Sequence, residues 1–87
     1  MIDELKQLRE KVDRVDDQIL NALKERAAIC RSIGSLKKKN GIPVKDILRE
    51  GEIFERIREK AKGFSLDPEQ VEAVFREIVI MCSAVQE

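Results

Sequence analysis

The stretch ALKERAAICRSIGSLKKK, residues 22–39, decides how this chain folds, because an apolar rhythm runs through it and a cation breaks it once. Leu5, Leu8, Val12, Val15, Ile19, Ala22, Ile29, Ile33 and Leu36 recur at alternating steps of three and four. Such spacing is the a/d seam of a heptad pattern, one stripe along a helix. The next a position after Ala22 is Arg26. A permanent cation in the stripe that ought to be dry calls for a partner of opposite charge.

Working outward, the pattern predicts a first helix over about residues 3–39, stopped by Asn40-Gly41 and the breaker Pro43. A second is expected over 46–62, with Asp46 as N-cap, Ile47, Ile53, Phe54, Ile57 and Ala61 on its apolar face, and Gly63 at its end. A third is expected over 67–86, with Asp67 as N-cap, Pro68 at N1 and Gln70 at N3 in a capping-box variant. Its apolar face reads Val71, Val74, Phe75, Ile78, Cys82 and Val85. No repeat, linker or low-complexity tract interrupts the 87 residues. The expected class is all-α, a single domain over residues 1–87.

The first helix is too long for a protein of this size. At 1.5 Å per residue, ~37 residues span ~55 Å. A compact chain of this length has a radius of gyration of roughly 12 Å. The other two helices, folded back as a hairpin, cover about half of it. Its flanking positions show which half: Lys6, Arg9, Asp13 and Asp16 come early, but Leu20, Leu23, Ala27, Cys30 and Gly34 come late. The late half has a broad apolar face for the hairpin, whereas the early half keeps only the narrow seam, which asks for one more helix. An intertwined homodimer with two long helices paired antiparallel meets both demands. A stalk in a larger assembly is the competing explanation.

Composition narrows the partners. Lys+Arg and Asp+Glu balance at 17 each, so no basic field points to nucleic acid or an anionic membrane. Three Phe are the only aromatic residues, too few for the stacking platforms of single-strand binders. Histidine is absent, and Cys30 and Cys82 lack any metal-ligand spacing, so no metal or cofactor is expected. Two unpaired thiols, no apolar run long enough for a membrane span and no leader-like start fit a cytoplasmic protein.

Arg26, Cys30, Ile33 and Lys37 share one face of the first helix. Two cations on a packing face need counter-charges, since an unpaired buried charge costs several kcal/mol, on the order of 3–5. The second helix offers Asp46 and Glu50, with Arg49 between them; on the third, Cys82 and Gln86 lie one turn apart. Arg9 lies 17 residues from Arg26, roughly 25 Å along one helix. In an antiparallel dimer centred near residue 21, however, the partner's Arg9 faces about position 33, between Arg26 and Lys37. Each residue alone has an ordinary reading: Arg26 as a register-fixing a residue, Lys37 as a helix-end charge, Asp46 as a cap, the cysteines as core. Together they form a pocket with an excess of cations, which asks for a small anion with more than one carboxylate or phosphate.

The segments LREKVDRVDDQIL, NALKERAAI, IGSLKKK, GIPVKDILRE, VFREIV and CSAVQ, in this order and spacing, resemble the all-helical (AroQ-class) chorismate mutase family over nearly the whole chain. The most specific pieces are the spacing from Arg26 to Lys37, the PVKDILRE stretch at 43–50 and the closing Gln86. The resemblance implies an intertwined helical dimer that rearranges chorismate to prephenate on the path to phenylalanine and tyrosine. It implies catalytic roles for Lys37, Gln86 and Glu50. It also implies substrate binding by Arg9 from the partner subunit, Arg26, Asp46, Arg49 and Cys82. Where similar enzymes often carry Ser or another polar residue, this chain has Cys82, a weak donor, with Ser83 next to it.

The implied reaction is a unimolecular Claisen rearrangement, in which a C–O ether bond breaks as a C–C bond forms. No nucleophile, metal or obligatory proton transfer is needed, which suits a chain without histidine. The enzyme holds a flexible dianion in its chair-like conformer and stabilises charge growing on the ether oxygen. Isochorismate pyruvate lyase, with a similar fold and substrate, is one alternative; a non-catalytic helical dimerisation or regulatory module is another. The mutase reading also allows docking to another enzyme of the aromatic pathway.

Overall fold

A computed structural model describes residues 2–87, which form three helices: α1, Ile2–Lys39; α2, Ile47–Gly63; and α3, Pro68–Gln86. Local chemistry explains where each begins and ends. The α1 end is a Schellman cap: Gly41 takes φ +66°, its N–H donates to the Lys38 carbonyl, and the Ile42 N–H donates to the Lys37 carbonyl at 2.8 Å. The Asp46 carboxylate accepts from the Arg49 N–H at 3.0 Å and opens α2. Asp67 likewise accepts from the Glu69 N–H at 2.9 Å ahead of Pro68. The expected capping box is not completed, since Gln70 makes no side-chain bond among the described residues.

The α2 helix ends at Gly63, as expected, and the turn that caps it comes after the glycine. The left-handed residue is Ser65, at φ +58°. Its N–H donates to the Lys62 carbonyl and that of Leu66 to the Ala61 carbonyl, closing the cap just beyond Gly63. A Cβ in this conformation costs about 1–2 kcal/mol, and glycine loses about 0.5–1 kcal/mol of chain entropy. Ser65→Gly is therefore expected to stabilise the protein by about 0.5–1 kcal/mol, read as a higher urea midpoint at unchanged m. A lower midpoint would sink this account of the cap.

Helix α3 is the centre of the molecule. It packs against α1 on one side and α2 on the other, while the Cα atoms of α1 and α2 stay more than 8 Å apart. The expectation that both shorter helices cover α1 is thus half right. The core is Ile53, Ile57 and Val79, flanked by Phe54, Val71 and Phe75. Val79 replaces Val74 on the packing face of α3: Val74 is 60% exposed, as is Ile47 at 75%. Arg58 and Arg76 both pair with Glu72, at 3.1 and 2.8 Å, and Arg76 stacks 4.4 Å from the Phe54 ring centroid, tying α2 antiparallel to α3.

Hydrogen bonds from Arg76 and Arg58 hold the Glu72 carboxyl below its ordinary pKa. Its contribution to stability is therefore present above the ordinary glutamate pKa and lost as pH falls through the depressed one. Glu72→Gln is expected to be less stable than the parent at neutral pH, with the gap closing in acid. Parallel pH–stability curves for the two proteins would contradict the assignment.

The remainder of α1 stands alone. The molecule measures 58 × 24 × 15 Å, its length being that of the 38-residue helix, and its radius of gyration is 16.5 Å. Every described residue from Ile2 to Ala22 is exposed, including the seam residues Leu8 (58%), Val12 (57%), Val15 (51%) and Ile19 (51%). The buried contacts of α1 are Cys30 and Gly34, on the late flank. Ile29, Ile33 and Leu36 of the seam remain exposed as well. Among the described residues no helix is long and apolar enough to cross a membrane.

Candidate active site

A cavity of about 450 Å³ opens where the late half of α1, the first turns of α2, the end of α3 and the loop at Val44 come together. Seven of the eight sequence-predicted site residues line it: Arg26 and Lys37 from α1, Asp46, Arg49 and Glu50 from the start of α2, and Cys82 and Gln86 from α3. Arg9, the eighth, is exposed on the free half of α1 and does not line the cavity.

The two α1 cations are held by neutral groups. Arg26 Nη1 donates to Cys82 Sγ at 2.6 Å and points at Cys30 Sγ at 3.9 Å. Cys82 is 3% exposed, so it lies beneath the guanidinium as an acceptor. Burial, reinforced by its neighbour Cys82, pushes the Cys30 thiol above its ordinary pKa; it therefore remains protonated and does not neutralise Arg26 at physiological pH. Lys37 Nζ donates to the Val44 carbonyl at 2.8 Å and to Gln86 Oε1 at 3.1 Å. An ammonium has three donors, so one N–H of Lys37 is left over. The Gln86 oxygen is engaged by Lys37, and its NH₂ donates toward the Cys30 sulfur, which leaves one amide N–H. A charged donor of Lys37 thus stands beside a partly engaged amide.

The expected counter-charges look elsewhere. Glu50 pairs with Lys45 at 3.4 Å, and the Asp46 carboxylate caps α2. Neither Arg26 nor Lys37 has a carboxylate within 4 Å among the described residues. Sequence reasoning also missed Arg56, which lines the cavity two turns beyond Arg49 on α2. Its i+7 spacing from Arg49 was the available signal. Four cations (Arg26, Lys37, Arg49, Arg56) therefore face two carboxylates (Asp46, Glu50), an excess of two positive charges. A half-enclosed space with that excess matches a dianion in charge. Ile29 and Ile33, both exposed seam residues, form part of the wall, so the cavity is open along the same stripe that lacks a neighbour.

The same residues lie within a stretch shared with known proteins. The family model for chorismate mutase type II matches residues 8–87. A bifunctional chorismate mutase/prephenate dehydratase from Aquifex aeolicus is 36% identical over 88 positions, covering 98% of this chain and 24% of that protein. A chorismate mutase from Methanocaldococcus jannaschii is 36% identical over 67 positions, covering 77% of this chain and 68% of that one. The chain thus spans about a quarter of the first relative and about two thirds of the second. Among solved structures, a conserved hypothetical protein from Pyrococcus furiosus aligns with a TM-score of 0.73 and 32% identity, over 95% of both chains. Three helices around a cation-rich cavity, and a family match from Leu8 to the last residue, together show that the chain belongs to the chorismate mutase type II family.

Proposed function

We propose that the protein rearranges chorismate to prephenate in a cavity completed by a second copy of the chain. The observation that carries this reading is the leftover Lys37 donor, with the Gln86 amide beside it, in a cavity with two surplus positive charges. The substrate is a dianion whose ether oxygen gains negative charge as its C–O bond breaks. Lys37 and the Gln86 amide donate to that oxygen, and because both are anchored before substrate arrives they need no reorganisation during the reaction. Arg26, oriented from below by Cys82, grips a carboxylate in company with Arg49 and with Arg9 of the second copy. Glu50, beside the backbone at Asp46, accepts from the substrate hydroxyl. The grip on both carboxylates confines the substrate to its folded conformer.

The second copy is supported by the bare seam of α1. Leu5, Leu8, Val12, Val15 and Ile19 are each about half exposed, and covering the remainder contributes about 1 kcal/mol per side chain. Antiparallel pairing about residue 21 also sets Arg9 against Ile33, on the open side of the cavity. A cytoplasmic setting goes with this reading, as does association with other enzymes of the aromatic pathway. The deciding experiment follows chorismate loss and prephenate formation by absorbance, with isochorismate assayed in parallel for pyruvate release, and measures mass in solution. Turnover of chorismate by a dimer is expected. A folded protein that leaves chorismate unchanged would refute it.

A further inference from the structure

The backbone of α3 comes close to α1 at Gly34. A Cβ built there would sit 2.7 Å from both the Cα and the carbonyl oxygen of Gln86, and 3.0 Å from its Cβ. Real Cβ contacts are not that short, and the atoms met are mostly backbone, which cannot swing aside. Lys37, one turn further along α1, is bonded to the Gln86 side chain at 3.1 Å. Cys30, one turn earlier, shares the guanidinium of Arg26 with Cys82. The two helices therefore run parallel and are pressed together at Gly34, with a site contact on either side. We infer that Gly34 is a positioning residue for catalysis: the missing side chain lets the last turn of α3 settle close enough to α1 for Gln86 to stand beside Lys37. This rests on the mutase reading for its kinetics but not for its geometry.

A methyl group at position 34 must push the α3 end outward, and Gln86 with it. Gly34→Ala is expected to lower kcat about 10²-fold, the usual cost of one lost transition-state donor, while KM changes only a few-fold. Gln86→Ala is expected to do the same, and the double variant to be no slower than either single one, because both changes remove one contact. Kinetics are read on protein whose far-UV circular dichroism and solution mass match the parent. A spectroscopic readout stands apart from turnover: the side-chain amide resonance of Gln86, shifted by Lys37→Met where the 3.1 Å bond is lost, is expected to shift likewise in Gly34→Ala. An unmoved Gln86 resonance, full multiplication of the two kinetic losses, or a Gly34→Ala chain that does not fold would each overturn the inference. If the parent fails to turn over chorismate while the resonance still moves, the proposed reaction fails and the positioning by Gly34 stands.

Discussion

Lys37→Ala is expected to lower kcat on chorismate by about 10³-fold, with KM rising far less. A neutral oxyanion donor is worth about 10²–10³ in rate, and a charged one in a partly closed site belongs at the upper end. The ammonium is fixed before substrate binds, by the Val44 carbonyl at 2.8 Å and Gln86 Oε1 at 3.1 Å. In the proposed mechanism its remaining N–H meets an ether oxygen that is nearly neutral in the ground state and anionic at the transition state. An interaction that strengthens along the reaction appears in kcat and only weakly in binding. Steady-state kinetics on both proteins decide the matter. Unchanged kcat would take Lys37 out of the mechanism. A large rise in KM at constant kcat would make it a binding residue only.

The second large effect is a recovery. Arg9→Ala and Arg26→Ala are each expected to be nearly inactive, since under the proposed mechanism each removes a cation that grips the same dianion. Mixed after subunit exchange, they are expected to regain about a quarter of parental activity, because half the dimers are then mixed and each mixed dimer has one intact site of two. No monomer can show this, as Arg9 and Arg26 lie on one straight helix and Arg9 does not reach the cavity. Failure to recover, with exchange verified by mass spectrometry of the dimers, would exclude a site built from both chains.

The parts of this molecule that could be read from the sequence are those set by local chemistry. Three helices and their order follow from the seam of α1 and the punctuation at Asn40-Gly41, Asp46 and Asp67-Pro68, all of which act within a few residues. Gathering Arg26, Lys37 and Gln86 at one place was legible because helical spacing fixes which side chains share a face. Less legible was anything that depends on how one helix is rolled about its axis. Val79 rather than Val74 faces inward because α3 is gripped from both sides, and a single-stripe reading allows for one neighbour only. The end of α2 at Gly63 was legible, but propensity could not single out Ser65 as the left-handed residue that follows it. The pairing of Glu50 with Lys45 instead of a cavity cation is a choice between nearby partners that spacing leaves open.

Ile29 and Ile33 belong at once to the cavity wall and to the uncovered stripe of α1. Whatever lies along that stripe therefore also roofs the cavity proposed to hold the substrate. Turnover per chain then becomes a property of how many chains share the tube: on serial dilution, specific activity should decay together with the population of assembled particles. Excess substrate, by bridging the two halves, should hold them together and delay that decay.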